Sequence, residues 1–432
     1  MGALSERGVS GVRILHVNKF VYRRGGAEGY MLDVAELQRE AGHEVTFFGM
    51  EHPDTIEGLP LRDTFPPEVE LEPPPRGLAG VAASARMVWS LSSSRGMARA
   101  LERFQPDVVH CHNIYHQLSP SILAPVRRAG VRCVMTLHDY KLACPSYQML
   151  DHGQLCDACV GASRLNAARR RCKSGSFAAS ALLSVESSIH HQLGAYDPVD
   201  VFISPSRFLA GVMLRSGIAP ERLAVINHFV EMPDAQAPPD GRDGFVFAGR
   251  LSHEKGVDTL IRAMAAMVQP AQLHIAGDGP ERAALEALAA KVAPGQVRFH
   301  GRLDKPALQA LVASCVASVV PSRWNENQPM TILESYAAQV PAVVTGLGGM
   351  PELVRDGVDG LVVPMEDPGA LAAALDSLST APARAAEMGR LGRERLSREF
   401  DAGLHLRRLE AAYRGEGTDG GTAVAVAHEG RR

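Results

Sequence analysis

The sequence predicts an α/β protein built of two doubly wound domains, and three observations lead there. Apolar runs of strand length alternate with longer helical segments along the chain, the pattern of repeated βαβ units. Glycine-rich or charged loops follow those runs, at 25–28, 249–256, 277–280 and 346–349. A Pro-, Asp- and Gly-rich stretch without periodicity, EMPDAQAPPDGRDG at 231–244, separates two such series. A length of 432 residues also fits two domains better than one.

Composition narrows the class. The chain is 46% hydrophobic and 22% charged with a net charge of −3, so a soluble globular protein is expected and no global basicity points to nucleic acid. The start, MGALSERGVSGVR, is polar and lacks a signal-peptide pattern, and no run approaches a membrane span. Segment 81–101 is apolar but interrupted by Arg86 and Arg95. It reads as an amphipathic helix, facing either a core or a membrane surface. Seven cysteines, an odd number, argue against a disulfide scaffold and for a cytosolic setting.

In the first half (11–230), VRILHV at 12–17 is a buried parallel strand in prospect, and Gly25-Gly26-Ala27-Glu28 opens the following helix. Ligands of doubly wound sheets bind at that carboxyl edge, although the dinucleotide fingerprint G-x-G-x-x-G is absent. Segment 51–80 reads as a loop excursion. Strands 108–111 and 131–137 end in His110-Cys111-His112-Asn113 and His138-Asp139-Tyr140, so Asn18, His112 and His138 converge on one crevice. Two alternate histidines, His110 and His112, lack a third metal ligand, and His138 is the stronger site candidate against the alternative of a structural histidine. Cys144, Cys156, Cys159 and Cys172 lie in one loop-rich insert, 144–173. They read as a structural zinc site, with reduced thiols or redox chemistry as the other readings. Arg164 to Lys173 adds a local basic patch, suited to anionic headgroups or an acceptor phosphate.

The second domain is expected over 245–398, with a further helix over 399–414 and a disordered tail over 415–432. Arg250 and Lys255, five apart before a helix that opens at Val257, offer two cations to a pyrophosphate. Strand 317–320 ends in a charged loop, Pro329 begins a helix, and strand 342–345 ends in Gly346, Gly348 and Gly349. Glu326 in the loop and Glu334 in the helix suit a sugar and a ribose hydroxyl pair, or are incidental surface glutamates.

The ordered series G-G-A-E (25–28), H-D-Y (138–140), G-R-L-x-x-E-K-G (249–256), G-D-G-P (277–280), E-N-Q-P-x-x-I-L-E (326–334) and G-G-M-P-E (348–352) resembles the retaining GT-B glycosyltransferases of family 4, the group 1 glycosyl transferases. The resemblance runs from about Arg13 to Tyr413. It implies two Rossmann-like domains facing across a cleft, with the last helix crossing back to the first. It implies that Arg250 and Lys255 hold the diphosphate of a UDP- or GDP-sugar and that Glu334 binds the ribose. Glu326 would face the donor sugar, with the backbone of Asn327, Gln328, Pro329 and Met330 close to sugar and phosphate. Gly25 and Gly26 would let the backbone approach phosphate and acceptor, and His138 would sit at the transferring centre. No catalytic cofactor is implied, and the donor loops carry no D-x-D metal motif. The acceptor would be a saccharide or lipid-linked glycan of envelope or exopolysaccharide synthesis, met at the inner membrane face. The Cys insert is not part of the family's minimal pattern, and the Asn327-Gln328 variant is expected to alter contacts to sugar hydroxyls. A nucleotide-sugar 2-epimerase and a non-catalytic nucleotide-sugar sensor are the alternatives on the same scaffold.

Overall fold

The computed structural model describes residues 11–69, 77–232 and 241–416. The tail from 417, the middle of the linker and 70–76 of the Pro-rich excursion lie outside the described residues. The chain divides into two compact units. One holds the described residues up to Gln148, Asp157–Ile226 and those from Leu406 on; the other holds Met149–Cys156 and Asn227–His405.

The first unit begins β1 (Arg13–Val17), α1 (Gly26–Glu40), β2 (Glu44–Phe48), α2 (Gly77–Val88), α3 (Leu91–Phe104), β3 (Val108–Cys111), α4 (Leu123–Ala129) and β4 (Arg132–Thr136). A small antiparallel hairpin, β5 (Leu150–Asp151) and β6 (Gln154–Leu155), belongs to the second unit. The first unit resumes with α5 (Asn166–Arg170), α6 (Phe177–Gln192), β7 (Val201–Ser204), α7 (Arg207–Arg215) and β8 (Leu223–Val225). Its six strands pair in parallel in the order β2-β1-β3-β4-β7-β8. Helices on a parallel sheet bury both of its faces, which is why β3 is buried at every position and β1 at all but its first.

One expectation changes here. Segment 81–101 is two helices rather than one, because Ser90 leaves the helical conformation and accepts a hydrogen bond from Ser93 N as the cap of α3. The excursion is a loop over 51–69, as the sequence reads. It makes a short 3₁₀ turn at Arg62–Thr64, stacks Phe65 on Phe48 edge-on at 5.5 Å, and lays the Thr64 carbonyl against Gly96.

The second unit runs β9 (Phe245–Ala248), α8 (Val257–Ala266), β10 (Leu273–Ala276), α9 (Arg282–Val292), β11 (Val297–Gly301), α10 (Lys305–Ser314) and β12 (Ala317–Val320). It continues with α11 (Met330–Ala337), β13 (Ala342–Thr345), α12 (Met350–Leu353), β14 (Gly360–Val363), α13 (Pro368–Ser379) and α14 (Pro382–Glu399). The last helix, α15 (Ala402–Arg414), starts in this unit and ends in the first. The strands pair in parallel as β11-β10-β9-β12-β13-β14.

In each sheet the strand order reverses once, between β1 and β3 and between β9 and β12. Loops leaving the carboxyl ends diverge at such a point and open a crevice, so these two places are where ligands are expected. Helix α11 is locked beside the second of them. The hydroxyl of buried Tyr336 donates to Asp359 Oδ1 at 3.0 Å, and Gly392 and Gly389 let α14 lie against the Tyr336 ring and the Gln339 carbonyl.

Two glycines hold the loops of that crevice. Gly256 (φ +66°) and Gly348 (φ +61°) are left-handed, and a Cβ would stand 2.1 Å from Pro321 O and 2.3 Å from Glu326 O. Gly256→Ala and Gly348→Ala should each destabilise the protein by more than about 1 kcal/mol, read as a lower melting temperature. Gly26→Ala, where nothing lies within 4 Å of the added atom, should leave melting unchanged.

Candidate active site

The crevice of the second unit is assembled by a buried guanidinium. Arg323, in the loop after β12 and 7% exposed, pairs with Asp258 at 2.6 Å and Glu366 at 2.8 Å. It donates to Thr259 Oγ1 at 2.9 Å and to the His253 carbonyl at 3.3 Å, while its own N–H reaches the Glu254 carbonyl at 2.8 Å. These contacts fasten the 3₁₀ turn His253–Lys255, after β9, to the loop after β12. Lys255 Nζ consequently lies 2.6 Å from Glu326 Oε1, which also accepts from Ser322 Oγ at 2.7 Å, and 5.4 Å above the Trp324 ring.

Glu326 is buried, and burial alone would raise its pKa; the Lys255 charge and the Lys255 and Ser322 hydrogen bonds outweigh that and lower it. It is a carboxylate at neutral pH, suited to accepting from hydroxyls and not to giving a proton. Its carbonyl is held by Gly349 N at 2.7 Å. Arg250, at the end of β9, is exposed, and among the described residues no hydrogen bond or ion pair engages its guanidinium. Glu334 is half-buried in α11, whose first residue is Met330 and whose cap is Pro329. Arg250, Lys255, Glu326 and Glu334 therefore belong to one unit and lie on the segments that follow β9 and β12.

The Gln328 side chain is held within its own unit. Its amide is committed on both sides to the main chain of His228, accepting from His228 N at 2.8 Å and donating to its carbonyl at 3.2 Å. The side chain of Gln328 thereby clamps the segment that leads into the linker. Neighbouring Asn327 is buried.

The first unit's crevice is different in kind, built of neutral polar groups. Asn18 Oδ1 accepts from Asn113 N at 2.9 Å and Asn18 Nδ2 donates to the Phe20 carbonyl at 2.7 Å, which joins the loops leaving β1 and β3. His138 Nε2 and His112 Nδ1 lie 3.0 Å apart, as do His112 Nε2 and His16 Nδ1. His16, beside His110 in the β1–β3 register, is the third histidine that the sequence reading lacked. Among the described residues His16, His110 and His112 form the one group of three metal-capable donors within 4.8 Å of one another. His138 keeps part of its surface accessible, yet burial pushes its pKa down to about 3. Gly25 and Gly26 are exposed at the start of α1. Gly25 is extended and neither glycine has a positive φ, so no packing or backbone constraint of this chain demands them.

The four cysteines of the insert divide between the two units. Cys144, Cys159 and Cys172 belong to the first unit without drawing their sulfurs within 4.8 Å as a trio, and Cys156 belongs to the second. Cys144 Sγ lies 3.2 Å from Ser146 Oγ, and no disulfide forms. The root of the insert is held by charge: Lys141 Nζ lies 2.7 Å from Glu186 Oε2, whose other oxygen faces His116 Nδ1 at 3.2 Å, all buried or nearly so.

Two family profiles match the chain, one described as Glycosyltransferase Family 4 over residues 24–232 and one as Glycosyl transferases group 1 over 242–381. The chain belongs to the group 1 glycosyltransferases. The Mycobacterium tuberculosis glycogen synthase is 35% identical over 171 residues, which cover 39% of this chain and 41% of that protein. The chain thus spans less than half the length of that relative. Among solved structures, sucrose-phosphate synthase from Thermosynechococcus elongatus superposes with a TM-score of 0.70 at 20% identity, over 94% of this chain and 98% of that one. Anabaena HepE in complex with UDP-glucose does so with a TM-score of 0.63 at 17% identity, over 93% and 99%. The fold of this group 1 chain is GT-B. The family 4 segment contains Gly25, Gly26 and His138; the group 1 segment contains Arg250, Lys255, Glu326 and Glu334.

Burial of neutral histidines makes the protein acid-labile. Burial lowers His16 and His116 from 6.5 to about 4, and His138 to about 3. A depressed pKa means that the unfolded chain binds more protons below 6.5, so the stabilisation is complete above that pH and is lost as pH falls toward 4. Melting temperature should hold between pH 7 and 8 and fall steadily from about pH 6.5 to pH 4, and His116→Gln should flatten part of that fall.

Proposed function

We propose that this group 1 chain is a retaining glycosyltransferase that moves a sugar from a UDP- or GDP-sugar to a saccharide or lipid-linked acceptor of envelope or exopolysaccharide synthesis. The observation that carries the reading is the Lys255–Glu326 pair at the β9–β12 switch point, beside an unengaged Arg250 guanidinium. A donor diphosphate there gains two cations. Its phosphates compete with Glu326 for Lys255, and the ionised Glu326 accepts from hydroxyls of the sugar. Glu334, on the anchored helix α11, takes the ribose hydroxyls.

The reaction asks little else of the protein. The bond from the anomeric carbon to the diphosphate oxygen breaks, the acceptor oxygen bonds to the same face of that carbon, and its proton passes to the departing phosphate. Leaving-group charge is the main barrier, and pre-placed cations in a partly dry crevice lower it most. We assign that charge to Arg250 and Lys255 instead of a divalent ion, on the grounds that the donor loops lack a D-x-D motif. His138, Gly25 and Gly26 take the parts the family resemblance gives them, at the transferring centre and the acceptor.

Membrane contact is also part of the proposal. No helix among the described residues is long and apolar enough to cross a membrane. Exposed Trp89 and Leu91 on the α2–α3 connection, and exposed Phe177, Val185 and Leu193 in or beside α6, support a peripheral contact.

A panel of UDP- and GDP-sugars, assayed for hydrolysis and transfer, tests the reading. Lys255→Ala and Glu326→Gln should each cut turnover roughly a hundred- to a thousandfold with the best donor. Lys255→Ala should also melt earlier, since it leaves a buried carboxylate without its cation. Interconversion of donor sugars without transfer would identify an epimerase, and binding without turnover a sensor; near wild-type turnover of either variant would remove these residues from the mechanism.

A further inference from the structure

The histidines of the first unit are part of a longer buried chain that nothing in the donor chemistry requires. From His138 it runs through His112 to His16, as given above, with each gap 3.0 Å. His16 Nε2 then meets Gln38 Oε1, on α1, at 2.7 Å. Gln38 Nε2 donates to the hydroxyl of Tyr413, on α15, at 2.8 Å. The Tyr413 hydroxyl lies 2.7 Å from His110 Nδ1, and His110 Nε2 lies 2.7 Å from Thr136 Oγ1. Seven side chains from β1, α1, β3, β4, the loops that follow β3 and β4, and α15, all belonging to the first unit, are strung on six hydrogen bonds.

Such a chain has a polarity. A carbonyl oxygen only accepts, so Gln38 Oε1 requires the proton of His16 on Nε2. Neutral His16 then has its lone pair on Nδ1 and must accept from His112 Nε2–H. His112 in turn carries its lone pair on Nδ1 and accepts from His138 Nε2–H. The neutral state of the end members follows from burial, which lowers His16 to about 4 and His138 to about 3. Turning the Gln38 amide over would reverse every bond and leave His138 protonated on Nδ1. The structure sets Gln38 Nε2 on the Tyr413 hydroxyl, which accepts from it and has its own proton left for His110 Nδ1.

We infer that Gln38, held by Tyr413, is a positioning residue that sets His138 in the Nε2–H tautomer, with Nδ1 as a hydrogen-bond acceptor. The nitrogen that does not face His112 then carries a lone pair and no proton, so it cannot donate to a phosphate. Under the reading of the preceding section, on which the functional consequence rests, His138 would orient a sugar or acceptor hydroxyl and would not act as an acid. The three-histidine group is accounted for in the same way. The proton shared by His16 Nδ1 and His112 Nε2 stands where a metal ion bound to both nitrogens would have to sit.

The test is the long-range ¹H–¹⁵N spectrum of histidine-labelled protein, assigned with single histidine replacements. The wild type should show His16, His112 and His138 neutral and protonated on Nε2. Gln38→Met, close in shape, removes the acceptor. Tyr413→Phe removes the group that orients the amide. Each should shift His112 and His138 toward mixed tautomers. Each should also lower kcat roughly ten- to a hundredfold, the scale of partners that act through another residue, with the donor KM little changed. A tautomer shift with unchanged kcat supports the chain and counts against His138 at the transferring centre. Protonation of wild-type His138 on Nδ1, or tautomers unmoved in both variants, overturns the inference. So does stoichiometric metal in the purified protein that is lost on replacing His16.

Discussion

The crevice of the second unit depends on one buried cation. Arg323 sits where two loops leave the sheet in opposite directions, and its guanidinium takes carboxylates from α8 and from the segment after β14 together with the carbonyl of the turn after β9. A buried guanidinium is costly unless nearly all of its donors are met, so the loops have little choice about where they lie. What this secures is register more than net stability. The Lys255 ammonium and the Glu326 carboxylate come within 2.6 Å because the backbones carrying them are bolted by their neighbour.

The two units solve the same problem with different chemistry. Each has a six-stranded parallel sheet whose order reverses once, and each places polar side chains at that reversal. The second unit places ions there, paired so that no charge is buried alone. The first places neutral imidazoles and amides, linked so that almost every ring nitrogen has a partner. An anionic diphosphate calls for the former. A chain of neutral histidines inside a sheet calls for the latter, because a proton on any of them would be buried without a counter-charge.

Legibility followed the range of the forces involved. Strand runs such as VRILHV and the helix opened at Gly26 were readable because burial on both faces of a parallel sheet leaves a continuous apolar signature. The break at Ser90 was not, because the apolar period continues across it and only a local serine cap interrupts the backbone. Glu326, Lys255 and Arg250 stood out as charged residues at strand ends. Arg323 stood in the same loop and looked no different from a surface arginine, since its partners Asp258 and Glu366 are far along the chain. That the Gln328 side chain clamps a main-chain segment rests entirely on where His228 passes.

By itself the sequence determined the two-domain α/β architecture, the family pattern, and the residue types at the carboxyl edges of the strands. Those follow from local periodicity and from motifs of a few residues. Only the tertiary structure decided which of these residues meet. It joined Lys255 to Glu326 and left Arg250 unengaged, and it kept the insert's first-unit cysteine sulfurs from closing into a trio. It also joined His138 to Tyr413 through Gln38, His16 and His112, across nearly the whole length of the chain. Hydrogen bonds act over about 3 Å, so which side chains share one depends on how strands pair and helices pack, and no spacing in the sequence records that.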